Sequence, residues 1–358
     1  MNKPINKLSA SRIKTAQQCS WVYWCKYKLK LPDTSNDGAS RGTVCHNVFE
    51  LLGTKHKREF NKIVKEGTIW NTEHVANQVK KESEELGVAD QENQDLIDEM
   101  IVAGLRCDFF GDDEEKPVSA ESERFFDLEI NDGDKSYAIR GYIDKLFTYK
   151  DNSVVIRDFK SSKSVFKGKE ITDNLQNLIY SLAVKHLIPD SKPRSEFLFL
   201  RFDMEKDIFG DTGKGYLKMD PISDDELEGF EYQLTQFQQY LDNFGDEEAR
   251  SGFAAQKDYP KDGTFGGPLS CGKDGYKMSK GEPVLDKNGD PIKAYICPFR
   301  KPIDYYALIN ESGETIKTAF EKDKGDLIPE EKEKVVLKKY EGCPHWENKS
   351  KLTNFLDE

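Results

Sequence analysis

The feature that most constrains this chain is the run VVIRDFKSSKS, Val154 to Ser164, where an apolar strand breaks into charge. Val154, Val155 and Ile156 are β-branched, as a strand buried inside a sheet favours. Residues two apart in a strand share a face, so Asp158 and Lys160 project together while Phe159 packs the other way. A greasy strand that ends by offering a carboxylate and an ammonium on one face needs a sheet around it and a polar rim to point into.

The surrounding pattern supplies that sheet. SERFFDLEI, SYAIRGYIDKLFTYK and SVVIRDFKSS read as three consecutive strands, the last two joined by the turn residues KDNS. ITDNLQNLIYSLAVKHLIP follows as a helix, capped near Thr172 or Asp173 and stopped by Pro189, and SEFLFLRFD reads as a fourth strand. Upstream, Ser9 or Ser11 caps a helical start that feeds the aromatic segment CSWVYWCKYKLKLP. In RGTVCHNVFELLGTKH the apolar Val44, Val48, Leu51 and Leu52 recur at helical spacing. Downstream, Leu227, Phe230, Leu234, Phe237 and Leu241 mark another amphipathic helix. The fold class expected is α/β, a mixed central sheet flanked by helices. Residues 1–250 are expected to form this core, with a helical insertion at about 67–116, and 251–358 a cysteine-bearing, loop- and hairpin-rich region packed on it.

Folding the second and third strands about Asp151–Asn152 brings Asp144, in GYIDKL, across from about Phe159. An odd-length loop or a bulge would place it with Asp158 and Lys160 instead. Either way two carboxylates and an ammonium gather at one end of the sheet. Two close carboxylates stay ionised most readily around a divalent cation, and hard oxygen ligands favour Mg²⁺ or Mn²⁺. A lysine beside them can position or help deprotonate an attacking water, a set suited to phosphodiester hydrolysis. The alternative for these residues alone is a cross-strand salt bridge at a sheet edge.

Composition sets the class. With 37% hydrophobic and 33% charged residues the chain reads as soluble and globular, and no apolar run approaches the roughly 18 residues that span a bilayer. MNKPINKLSASRIK lacks the apolar core of a secretory signal, and seven cysteines, an odd number, do not form a disulfide framework, so a cytoplasmic setting is expected. The net charge of −12 opposes nucleic-acid binding only in total. Residues 1–30 carry seven Lys or Arg and no acid, and residues 140–170 carry eight against four. Trp21, Tyr23, Trp24 and Tyr27 in the basic N-terminal segment offer base stacking, or else helix-face core packing.

These motifs, in order, resemble the PD-(D/E)XK nuclease superfamily, in particular its RecB-like and CRISPR-associated exonuclease branch. They are the histidine of RGTVCHNVFELL, the aspartate of RGYIDKL, the D-x-K of VIRDFKSSK and the Q-x-x-x-Y of LQNLIYSL, and the likeness covers about residues 8–205. The resemblance implies that His46, Asp144, Asp158 and the backbone carbonyl of Phe159 hold Mg²⁺ or Mn²⁺, and that Lys160 serves the attacking water. Gln176 and Tyr180 would orient the lysine or the DNA strand. Glu123, in ESERFF, is a further carboxylate that the first strand could add. The histidine, glutamine and tyrosine also have plain readings, as packed or helix-face residues.

Iron–sulfur members of that branch place one cysteine before the motif histidine and three beyond the core. Cys19, Cys271, Cys297 and Cys343 occupy such positions, although the last three are more widely spaced than in the family. Two hairpin candidates, EPVLDKNGDPIKAYI and DYYALINESGETIKTAF, fill the intervals and could return the sulfurs to one place. A [4Fe–4S] cluster, a zinc ion or unrelated thiols all fit four such cysteines. Cys25, Cys45 and Cys107 read as structural, the last two within helices. The resemblance thus implies a metal-dependent deoxyribonuclease, an exonuclease on single strands or DNA ends, in recombination, repair or phage DNA processing. A structure-specific endonuclease and a non-catalytic DNA-end-binding module are the alternatives. No G-x-x-x-x-G-K-[ST] loop is present, so a helicase or recombination partner would be a separate polypeptide.

Overall fold

The computed structural model describes residues 6–33, 36–112, 114–204, 213–251, 275–285, 289–294 and 296–344. The chain divides into two compact units, one of residues 1–10 and 35–242 and one of residues 11–34 and 243–358. In chain order the elements begin with α1 (Ala10–Gln18), α2 (Ser20–Tyr23) and a π-helical turn, Trp24–Lys28. Four helices follow: α3 (Asp37–Thr54), α4 (Lys57–Glu66), α5 (His74–Glu85) and α6 (Gln91–Arg106). Then come β1 (Ser119–Asp132), β2 (Lys135–Thr148) and β3 (Ser153–Lys160). After α7 (Lys169–Thr172) and α8 (Leu175–Leu187) lie β4 (Lys192–Phe199), β5 (Tyr216–Lys218) and α9 (Asp224–Asp242).

The first unit is built on one five-stranded sheet, in the order β1-β2-β3-β4-β5. Its β3–β4 pair is parallel and the other pairs are antiparallel, which makes it the mixed sheet of an α/β fold. A parallel pair needs a crossover, and α8 provides it. β1 and β2 form a long hairpin on the two-residue loop Gly133–Asp134, with Gly133 at φ 59°, a conformation glycine adopts without strain. β3 is buried at every residue between its ends, as a strand with neighbours on both sides and helices on both faces must be.

Two helices carry side chains to the end of β3. Asn36 caps α3 by accepting from the Ala39 N–H at 3.1 Å. α3 then runs close along the sheet because it begins with small residues: a Cβ on Gly42 would meet Ser161 Oγ at 2.7 Å. Its apolar face (Val44, Val48, Phe49, Leu52) packs with Ile97, Ile101 and Leu105 of α6 and with Phe159 and Leu198 of the sheet. Phe49 and Phe159 lie 4.3 Å apart, centroid to centroid. Each such side chain contributes about 1.5–3 kcal/mol on burial, enough together to offset the cost of the charged groups at the strand ends. On the other face, Asn174 caps α8 by accepting from the N–H groups of Gln176 and Asn177 at 3.1 and 3.0 Å. The cap thus falls one residue beyond Asp173, and two beyond Thr172, the positions expected.

The second unit contains α1, α2, the π-turn and α10 (Asp246–Ser251), with β6 (Met278–Ser279) and β7 (Glu282–Pro283) as a short hairpin. It is completed by β8 (Ile303–Ile309), β9 (Thr315–Ala319) and β10 (Lys334–Tyr340), an antiparallel sheet in the order β10-β8-β9. The hairpin expected in DYYALINESGETIKTAF is β8–β9; that expected in EPVLDKNGDPIKAYI falls partly outside the described residues. Tyr340 joins the tail to the N-terminal helices: its hydroxyl donates to the Phe299 carbonyl at 2.8 Å and accepts from Trp21 Nε1 at 2.7 Å. Trp21 and Tyr23 are buried, so core packing, not base stacking, accounts for them. Among the described residues no helix is long and apolar enough to cross a membrane.

Candidate active site

The geometry of the site starts from a turn. Thr148 pairs with Val154, the Tyr149 N–H donates to Ser153 O, and Lys150, Asp151 and Asn152 form a three-residue loop. Asn152 takes the left-handed conformation, φ 64°, which asparagine tolerates better than most residues, and Asp151 Oδ1 accepts from the Ser153 N–H at 2.9 Å. The odd-length loop sets Lys145 opposite Arg157. Continued by one residue, that register places Asp144 opposite Asp158, not opposite Phe159 as an even loop would. On the other side, Ser122 pairs with Lys145 and Arg124 with Ile143, so Glu123 falls opposite Asp144. Glu123, Asp144 and Asp158 therefore occupy one line across three strands. Glu123 stands at φ 47°, a left-handed backbone that costs a side-chain-bearing residue about 1–2 kcal/mol.

α3 brings His46 to this line. Its Nδ1 lies 3.4 Å from Asp144 Oδ1 and 3.8 Å from Glu123 Oε1, and its Nε2 lies 3.1 Å from the Phe159 carbonyl oxygen. Asp144 is fixed from β3 as well, since its Oδ2 accepts from the Phe159 N–H at 2.7 Å. Burial opposes a charge on His46, but the carboxylates of Asp144 and Glu123, with Asp158 behind them, outweigh it and raise its pKa well above the ordinary histidine value.

α8 brings the second group. Lys160 Nζ lies 2.5 Å from Asp158 Oδ2 and donates to Gln176 Oε1 at 2.7 Å. Gln176 Nε2 donates to Asp158 Oδ1 and, at 2.9 Å, to the Tyr180 hydroxyl. The structure thus gathers His46, Asp144, Asp158, Phe159, Lys160, Gln176 and Tyr180 at one end of β3, with Glu123 beside them. Asp158 is 3% exposed. Burial, with the Asp144 charge adding to it and Lys160 and His46 opposing it, pushes its carboxyl up to about 6. Arg157 projects to the opposite face and is spent there: its Nη2 lies 3.0 Å from Glu196 Oε2 and 3.4 Å from Asp108 Oδ2.

The residues present fit a divalent cation. One ligand atom each from His46, Glu123 and Asp144 lie within 4.8 Å of one another, and the Phe159 carbonyl faces the same histidine. Apart from its ion pair with Lys160, Asp158 Oδ2 has no hydrogen-bond donor aligned on it although it is buried. Oxygen donors with one imidazole suit Mg²⁺ or Mn²⁺. In this geometry Glu123 stands closer to the histidine–aspartate pair than Asp158, which is turned toward Lys160 and Gln176. The sequence signal for Glu123 was only its place on the strand before Asp144.

Among the cysteines, Cys19 and Cys297 are buried and Cys343 is half-buried, while Cys271 lies outside the described residues. Cys25 belongs with them: burial first, and the thiols of Cys297, Cys343 and Cys19 next to it, drive its own thiol far up against the Tyr340 hydrogen bond. Nothing local in WVYWCKYK marks that neighbourhood. Cys45 lies within α3; Cys107 lies just past the end of α6, not inside it.

Comparison with known proteins matches residues 7–272 to the PD-(D/E)XK nuclease superfamily. One polypeptide of an ATP-dependent helicase/deoxyribonuclease from Streptococcus mutans is 31% identical over 185 residues, covering 49% of this chain. The match spans 16% of that relative's length. The family match covers most of the chain, and the mixed sheet with its acids agrees with it: the chain belongs to the PD-(D/E)XK nuclease superfamily.

Proposed function

We propose that this protein is a Mg²⁺- or Mn²⁺-dependent deoxyribonuclease, acting as an exonuclease on single strands or DNA ends in recombination, repair or phage DNA processing. The observation that carries the reading is the line Glu123–Asp144–Asp158, flanked by His46 on one side and Lys160 on the other. A divalent ion held by His46, Asp144, Glu123 or Asp158 and the Phe159 carbonyl supplies Lewis-acid chemistry and neutralises charge on the phosphate. The protein's own groups do the rest. Gln176 fixes Lys160 through its amide oxygen and Asp158 through its amide nitrogen, so both point at one volume beside the acids. Lys160 orients the attacking water and takes up charge as the phosphodiester opens. Tyr180 holds the Gln176 amide in that orientation. A line of carboxylates repels a polyanion unless cations answer it, and the basic stretch at 140–170, on the same unit, is suited to do so.

The test is degradation of labelled single- and double-stranded DNA with Mn²⁺. Wild type should cleave, chelator should stop cleavage and added Mn²⁺ restore it, and Asp158→Ala and Lys160→Ala should each lose at least about a hundredfold in rate. DNA binding without cleavage by wild type would overturn the reading in favour of an end-binding module. Cleavage of closed circles would show an endonuclease instead.

The second unit supports a further part of the same reading. Cys19, Cys271, Cys297 and Cys343 would hold a [4Fe–4S] cluster that ties the N-terminal helices to the tail, with zinc as the rival occupant. The likeness to part of a helicase/deoxyribonuclease supports a motor on a separate polypeptide as partner.

A further inference from the structure

The helices before the sheet carry a second group of metal-type ligands that the nuclease reaction does not use. The sequence has five histidines, and two of them, His56 and His74, meet on one glutamate, Glu59. A ligand atom from each of the three lies within 4.8 Å of the other two, and the imidazole rings lie against each other at a 34° tilt with centroids 4.2 Å apart. Apolar packing does not explain the meeting, because the His74 side chain is 56% exposed. His56 precedes the first turn of α4, Glu59 lies within that turn, and His74 opens α5.

Two helices begin here, and their N-termini disfavour a cation. Glu59 meets that objection. Its Oε1 accepts from the His74 backbone N–H at 3.0 Å and its Oε2 from the Val75 N–H at 3.0 Å, so the carboxylate caps α5 and neutralises its end. A carboxylate has about four acceptor positions, and these backbone bonds take two. A third is taken by His74 Nδ1 at 2.7 Å, the contact a metal ion would replace or use to aim the ring. The neighbouring Lys57 is drawn away, its ammonium lying 5.5 Å from the centre of the Phe110 ring. Two imidazoles and one carboxylate form a borderline-soft set, suited to zinc-class ions rather than Mg²⁺.

We propose that His56, Glu59 and His74 bind a zinc-class transition-metal ion, with water completing its coordination, and that the ion staples the start of α4 to the start of α5. This site is separate from the acids at the end of β3, and its test does not depend on cleavage.

The experiment titrates Zn²⁺ calorimetrically into the tag-free full chain with Mg²⁺ in excess. Wild type is compared with a His56→Asn/His74→Ala double variant; asparagine suits the left-handed backbone of His56, φ 58°. The wild type should take up one more equivalent of Zn²⁺ than the variant, or bind it at least about tenfold more tightly, as loss of two of the three ligands demands. Hydrogen exchange on the wild type alone supplies an independent readout: Zn²⁺ should slow exchange at the starts of α4 and α5. Equal uptake by a folded variant, or unchanged exchange at both helix starts, would overturn the proposal. If the double variant does not fold, the wild-type exchange result decides.

Discussion

Lys145 neighbours Asp144 in sequence yet takes no part in the acid line. Its ammonium donates to Ser122 Oγ at 2.9 Å and lies 3.9 Å from the centre of the Phe109 ring. Burial first, and the Arg157 charge second, hold its pKa down to about 8. A lysine with a depressed folded-state pKa favours the neutral form. Its contribution to stability is fully present above the ordinary lysine value of 10.5 and is lost as pH falls through 8. Lys145→Met should therefore stabilise the protein at pH 7, by about 1–3 kcal/mol, and the advantage should shrink between pH 8 and 10.5. Urea unfolding of both proteins across that range measures it, and a pH-independent difference would refute the assignment. Lys145 does not stand out in the sequence because its surroundings come from α3, β1 and Phe109 in the segment after α6. His46, Asp144, Asp158, Lys160, Gln176 and Tyr180 do, because each sits at a fixed place within its own helix or strand.

At the scale of elements, the strands and α8 were readable because period, capping and turn residues are local signals. The register was not. Whether Asp144 meets Asp158 or Phe159 turns on one residue in the β2–β3 loop, and that count is settled by the left-handed conformation of Asn152. Asn152→Gly should be tolerated within about 0.5 kcal/mol, whereas Asn152→Val should cost about 1–2 kcal/mol from the strained backbone. Thermal unfolding with parallel cleavage assays checks both, and a valine variant as stable as wild type would contradict the role given to the loop. A helix also carries a spacing requirement. Gly42 lets α3 approach Ser161, one turn from His46, so the distance from His46 to the acids depends on a residue with no chemistry of its own.

For the whole molecule, the α/β class followed from the alternation of elements, while the company kept by the cysteines did not. Residues 11–34 and 243–358 form one unit, a pairing of distant segments that local pattern cannot reveal. A [4Fe–4S] cluster there predicts a brown protein when purified without oxygen, with about four iron atoms per chain. Cys19→Ser and Cys297→Ser should bleach it. Cys25→Ser should keep the colour, since the four proposed ligands remain and Cys25 is a hydrogen-bond partner of Tyr340. Iron and sulfide assays on the three variants decide the matter; a colourless wild type containing zinc would assign the rival metal.

The alternation at the end of β3 has a consequence for newly made chains. Arg157 and Asp158 are adjacent and face opposite ways, the guanidinium engaged by Glu196 and Asp108. A strand that slipped by a single rung while folding would deliver that guanidinium into the row of acids and cancel them. Such a chain would have no open carboxylate row left to hold a cation, so the pairing of these strands decides whether the centre exists at all.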